Sequence, residues 1–246
     1  LNDHFFHNFI FKKNYENKSL AYCSDSFILA SNLFKLSITV TIVYKRPFFD
    51  KNAAMGLPDI MGLNVISVAN HTDFELYPQA DLYIDAAFNG NFIDVQGPLL
   101  FHCPAYTFKD LPLAPANSAR FCAWPGFWER KRWEIVPHPE NAIDFSALLI
   151  KMGLETSLIS DIPGLIAPRI LSTLINEAAY TLAEGIASAE DIDTAMKLGT
   201  NYPKGPVEWA KQIGFAEIEK VLSQMAFTHP HYAPHPMLTS LIFAGA

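Results

Sequence analysis

The sequence predicts an α/β sheet of mostly parallel strands followed by an all-helical domain, on two observations. The first 160 residues carry short apolar runs of strand length, separated by Pro, Gly, Asn and Asp. After Pro163-Gly164 the apolar period lengthens to that of helices. Half of the 246 residues are hydrophobic and only 17% are charged, which is the balance of a folded globular chain rather than a disordered one.

Strand-like runs fall at residues 19–23, 38–44, 64–68, 81–85, 98–102, 119–123 and 133–136. Many are continuous rather than alternating, as strands buried on both faces of a parallel sheet are. A helical interval fits between the first two runs. A further helix is expected over 142–152 and a strand over 157–160, which is the rhythm of βαβ units. Beyond Gly164, Ile166, Ile170, Leu174, Ala178 and Leu182 recur every four residues, widened by Leu171 and Ile175. Gly185 ends that helix. Ser188-Ala-Glu-Asp191 reads as a capping box for the next, which Gly199 should stop. Residues 203–206 form a rigid turn before a third helix that stops at Gly214. The boundary therefore falls at Asp161, giving domains 1–160 and 161–246.

A net charge of −7 argues against nucleic acid as a partner, because phosphate binding needs a basic surface. No apolar run suits a bilayer span. The best candidate, residues 165–182, carries Arg169, Asn176 and Glu177. Residues 1–17 lack the basic-then-apolar order of a signal peptide. Cys23, Cys103 and Cys122 fit neither a disulfide framework nor a zinc motif, so reduced thiols in a cytoplasmic protein are expected. The run from His229 to His235 reads as a connecting loop with incidental histidines, and no metal site is expected.

The helical half carries longer motifs: Asp161-Ile-Pro-Gly164, Asn176-Glu-Ala178 with Glu184-Gly-Ile-Ala187, the block from Ala189 to Gly199, and Tyr202-Pro-Lys-Gly-Pro206. In this order and spacing they resemble the start of the C-terminal domain of 3-hydroxyacyl-CoA dehydrogenases. The resemblance is strong over 161–246 and weaker but collinear over 20–160. It implies a reduced Rossmann-like sheet followed by a 6-phosphogluconate-dehydrogenase-like helical domain. It also implies an NAD-dependent oxidoreductase of fatty-acid metabolism and a homodimer built by residues 164–246.

Several residues that the resemblance calls for are replaced. Its glycine turn, which admits a dinucleotide pyrophosphate, falls on Ser24, Ser26 and Leu29, with Asp25 between the first two. Tyr44-Lys45-Arg46 stands where an acidic residue should meet the ribose. The histidine that serves as general base in the family becomes Pro125, and the asparagine that steadies the substrate oxygen becomes Pro168. The position of the glutamate that orients the base falls on Glu134, which is equally compatible with a solvated carboxylate at a strand end. The segment that replaces the family's serine offers His102, Tyr106 and Thr107, with His102 as a candidate relocated base. Trp124, Trp128 and Trp133 are expected to fill the vacated volume. The stretch between Lys45 and Asp81 leaves little room for the helical hairpin that holds CoA in the family.

Two readings follow. One is a catalytically silent relative without an NAD cofactor that keeps the scaffold and binds an acyl-CoA or a protein. The other is a working oxidoreductase that uses His102 or Glu134.

Overall fold

A computed structural model describes residues 40–46, 62–127 and 129–238. The run at 19–23, the helical interval after it, Ser24, Ser26 and Leu29 lie outside the described residues. Seven strands form one sheet: β1 (Val40–Lys45), β2 (Leu63–Val68), β3 (Leu82–Asp85), β4 (Leu99–His102), β5 (Ser118–Phe121), β6 (Arg132–Pro137) and β7 (Glu155–Leu158). Their spatial order is β2-β1-β3-β4-β5-β6-β7. Neighbouring strands run parallel except β5 and β6, which are antiparallel. The continuous apolar runs have the burial expected of them. Every residue of β3, β4 and β5 is buried, as a sheet covered on both faces requires.

The order differs in one place from what the resemblance implies. In a Rossmann order of 3-2-1-4 the first strand separates the second from the fourth. Here β1 pairs with β2 along one edge and with β3 along the other, Lys45 lying level with Val68 and Asp85. The central place is thus filled by β1 itself. In sequence β1 is followed by Arg46-Pro47-Phe48-Phe49-Asp50, which contains no glycine.

Helix α1 (Phe145–Lys151) is shorter than the expected 142–152, because the Asp144 side chain accepts from Ala147 N at 3.0 Å and caps it there. Strand β7 begins two residues earlier than expected. The helical half contains α2 (Ala167–Ala183), α3 (Ala189–Thr200), α4 (Pro206–Ile213) and α5 (Phe215–Ala226). The Ser188 cap is formed, its hydroxyl accepting from Asp191 N at 3.2 Å. Gly199 does not end α3. The helix runs one residue further and is stopped by Asn201 in the left-handed region at φ 56°. Helix α5 has no counterpart in the periodicity reading, in which Gly214 serves only as a stop. It is also a start, as the turn at φ 97° leads directly into Phe215.

The block from Ala189 to Gly199 and the Tyr202–Pro206 turn are coupled by one carboxylate. Buried Asp193 accepts from Val207 N at 2.8 Å and from Glu208 N at 3.1 Å, satisfying the first amides of α4. A Cβ at Gly205 would lie 2.1 Å from Asp193 Oδ1, so only glycine lets the turn close on its cap. The expected stripe on α2 is divided: Ala178 is buried, whereas Ile166 and Ile170 are exposed. The buried side of the helix runs through Pro168, Ser172, Ile175 and Ala179.

The described residues form one compact unit. The largest apolar cluster joins Phe101 and Trp124 from the sheet to Ile175, Ile218, Leu222 and Met225 from the helices. An Arg–Asp pair fastens the same seam. Arg120 on β5 is wholly buried, donating through Nε to Asp161 Oδ1 at 2.8 Å and through its remaining nitrogens to the Cys103 and Ile162 carbonyls.

Candidate functional site

A cavity of about 450 Å³ opens where the carboxyl ends of β3 and β4 face the first turns of α5. Ligand crevices in open α/β sheets lie at strand carboxyl ends, and this volume suits a small molecule. His102, Cys103, Tyr106, Glu217 and Lys220 supply its polar wall, while Phe88, Pro104 and Leu111 supply much of its apolar one.

His102 ends β4 and is buried. Its Nδ1 accepts the Ala123 backbone N–H at 2.9 Å, which leaves the proton on Nε2. That atom lies 3.7 Å from Glu217 Oε2. Lys220 Nζ donates to the other carboxylate oxygen at 2.7 Å. Burial would raise the Glu217 pKa, but His102 and Lys220 outweigh it and carry the group down to about 2. Lys220 is raised: burial opposes its charge and Glu217 more than compensates. The Cys103 thiol is pushed up to about 11 by burial, so it is protonated at neutral pH. Cys122 is raised by the same cause.

Glu134 stands elsewhere. Its carboxylate accepts from Ile166 N at 2.8 Å and from Ala167 N at 3.0 Å, capping α2. Pro168 is buried in the first turn of that helix, where a missing N–H costs nothing. Beside this helix start runs a groove of about 220 Å³, lined by Phe127, Arg130, Ile170, Leu171, Tyr202 and Trp209 among others. Gly126 is needed there, since a Cβ would meet the Trp209 ring at 2.5 Å. Phe127 and Ala167, the latter bonded to Glu134, line this groove, whereas His102 lines the larger cavity.

The tryptophans do not form a common pocket. Trp124 is in the cluster shared with the helices, whereas Trp133 stacks on Phe121 at 5.2 Å in another cluster. The side chain of Trp128 lies outside the described residues. Thr107 is occupied by Asp110, to which both its N–H and its hydroxyl donate. The turn containing His229 and His231 packs through Asn176, which donates to Ala233 O and accepts from His235 N.

The sequence reading missed three groups. Glu217 and Lys220 sit on the unrecognised helix α5. Asp85 ends β3, is buried, and accepts from His71 Nε2 at 2.9 Å, while Lys45 Nζ approaches His71 Nδ1 at 3.3 Å. Burial raises the Asp85 pKa, and the neighbouring His71 and Lys45 only partly offset it. This Lys45-His71-Asp85 chain lies at the carboxyl ends of β1 and β3, where the strand order reverses.

The fold is a Rossmann-like sheet followed by a helical domain, the architecture of 3-hydroxyacyl-CoA dehydrogenases. The (S)-3-hydroxybutyryl-CoA dehydrogenase of Ralstonia eutropha shares it with a TM-score of 0.59 over 74% of this chain and 70% of that one, at 23% identity. A 3-hydroxybutyryl-CoA dehydrogenase structure from Escherichia coli K12 gives 0.58 over 74% and 42%, at 22% identity.

Residues 164–246 match the family model described as the 3-hydroxyacyl-CoA dehydrogenase C-terminal domain. A probable 3-hydroxybutyryl-CoA dehydrogenase of Bacillus subtilis is 40% identical over 111 residues, covering 43% of this chain and 38% of that protein. The 3-hydroxyadipyl-CoA dehydrogenase of Escherichia coli is 39% identical over 104 residues, covering 41% and 22%. The matches therefore span well under half of these relatives' lengths. No helix among the described residues is long and apolar enough to cross a membrane.

Proposed function

We propose that this chain is a non-dehydrogenating relative of the 3-hydroxyacyl-CoA dehydrogenases, acting in cytoplasmic acyl-CoA metabolism as an acyl-CoA-binding scaffold. The observation that carries this reading is that both candidate catalytic groups already hold the fold together. Glu134 is spent on the amides of α2. The acceptor nitrogen of His102 is spent on Ala123 N, so the imidazole has no lone pair aimed at a substrate proton. At the reversal of strand order, buried Asp85 places a carboxylate where a diphosphate would have to approach. The positions of the family's base and oxygen-holding asparagine are Pro125 and Pro168, and loss of a single member of such a cooperating set is already crippling.

The test is a calorimetric and thermal-shift titration with NAD, NADH, CoA and acetoacetyl-CoA, alongside an assay of 3-hydroxybutyryl-CoA oxidation. Stabilisation by acetoacetyl-CoA without response to either nucleotide, and no NADH formation, is expected. Micromolar NAD binding overturns the reading.

One observation favours the runner-up, an active oxidoreductase with a relocated site: His102 and Glu217 meet at the wall of the larger cavity. Turnover that collapses in His102→Ala would establish it.

A further inference from the structure

We infer that the cavity between β3, β4 and α5 is a binding site for a small neutral carbonyl compound, whose oxygen is held by Lys220. This deepens the function proposed above, resting on it only in taking the carbonyl to be that of an acyl thioester.

The argument is one of charge and hydrogen-bonding capacity. Among the residues lining the cavity, Glu217 and Lys220 are the only two with a full formal charge, and they form a 2.7 Å pair. The wall is therefore neutral overall. A carboxylate entering it would shed water and find its only cation already shared with an anion, whereas a neutral carbonyl sheds much less. The pair nevertheless leaves donors over. An ammonium has three N–H groups, and among the described residues Lys220 Nζ has one partner, Glu217. The remaining two serve a carbonyl oxygen.

Glu217 is needed for this because it fixes at the cavity wall an ammonium whose side chain is otherwise solvent-exposed. The carboxylate is in turn steered from the sheet by His102 Nε2 at 3.7 Å. Phe88, Pro104 and Leu111 suit a short aliphatic body. The neighbouring Cys103 thiol is protonated and adds no charge. Lys220 would thus supply an oxygen-binding donor in a chain where Pro168 stands in place of the asparagine.

The experiment is isothermal calorimetry of the full chain with S-butyryl-N-acetylcysteamine, butyrate and butyryl-CoA, in wild type and the variants Lys220→Met, Lys220→Arg and Glu217→Gln. The expected result is that wild type binds the small thioester more tightly than butyrate. Lys220→Met should weaken the thioester roughly tenfold, the scale of one charge-assisted hydrogen bond, while Lys220→Arg retains most of the affinity. Glu217→Gln unbalances the cation and should reverse the preference toward butyrate. Thermal melts of each variant identify one that fails to fold, and the arginine variant and the wild-type preference then still decide. Equal thioester binding by folded Lys220→Met, or butyrate binding wild type as tightly as the thioester, overturns the inference. So does failure of wild type to bind the small thioester. Binding of the small thioester without butyryl-CoA supports the cavity assignment while refuting the acyl-CoA reading.

Discussion

Replacing Glu217 by Gln should destabilise the protein at neutral pH and progressively less so in acid. The carboxyl moves from an ordinary 4.5 to about 2 in the folded chain. Its folded pKa is depressed, so the stabilisation is fully present above 4.5 and is lost as pH falls toward 2. A shift of that size corresponds to about 3 kcal/mol at most, at about 1.4 kcal/mol per pKa unit. The Glu217 side chain is 28% exposed and Lys220 is 43% exposed, so solvent screening reduces this to about 1–2 kcal/mol.

Urea unfolding of wild type and Glu217→Gln between pH 7 and pH 3 measures the effect. The difference should shrink steadily below pH 4.5, with less than half of it left at pH 3. Added salt should shrink the pH 7 value through the exposed Lys220 partner. Equal stability of the two proteins at pH 7, or a difference that stays constant down to pH 3, would refute the account of Glu217 as an ionised clamp between α5 and β4.

Asp161→Ala should be the most damaging single change, since it leaves the buried Arg120 charge without its carboxylate; a loss of about 3–5 kcal/mol, read as a collapse in the urea midpoint, is expected. Glu134→Ala removes the cap of α2 and should cost about 1 kcal/mol in thermal unfolding, with no such loss if the carboxylate were idle. Cys103 and Cys122 should resist iodoacetamide at pH 7 in the folded protein and react on unfolding, as mass spectrometry of the labelled peptides will show. Light scattering at tens of micromolar should report a dimer through residues 164–246, and Ile170→Glu, which charges the exposed face of α2, should shift it toward monomer.

Most of the architecture was legible because it rests on local patterns. Continuous apolar runs located β1 to β6 within about two residues, and the Ser188 box located α3. Strand order was less accessible, because it depends on pairing between distant segments. Nothing in residues 38–44 says that both edges of β1 are taken. Helix α5 was hidden by the rule that reads glycine as a stop, when Gly214 both ends one helix and begins another. The cavity was half visible. His102 was singled out, but Glu217 reaches it from 115 residues away, and only the packing of α5 on the sheet makes them neighbours. The same holds for Lys45, His71 and Asp85, which the ends of β1 and β3 and the 3-10 turn opened by His71 bring together.

Glu134 and Pro168 act together at the start of α2. A helix that begins at Ala167 exposes amides in its first turn, and those of α2 face the partly buried seam between sheet and helices. Pro168 removes one such donor outright, and Glu134 accepts from the two that precede it, at Ile166 and Ala167. The first intrahelical bond follows from Ile170 N to Ile166 O at 3.1 Å. The carboxylate also lies at the positive end of a 17-residue helix, where its charge is favoured without any histidine to orient. Glutamate retention is therefore no sign of retained catalysis. The carboxylate is held by the helix start it caps, and Pro168 completes that cap by removing the next amide donor.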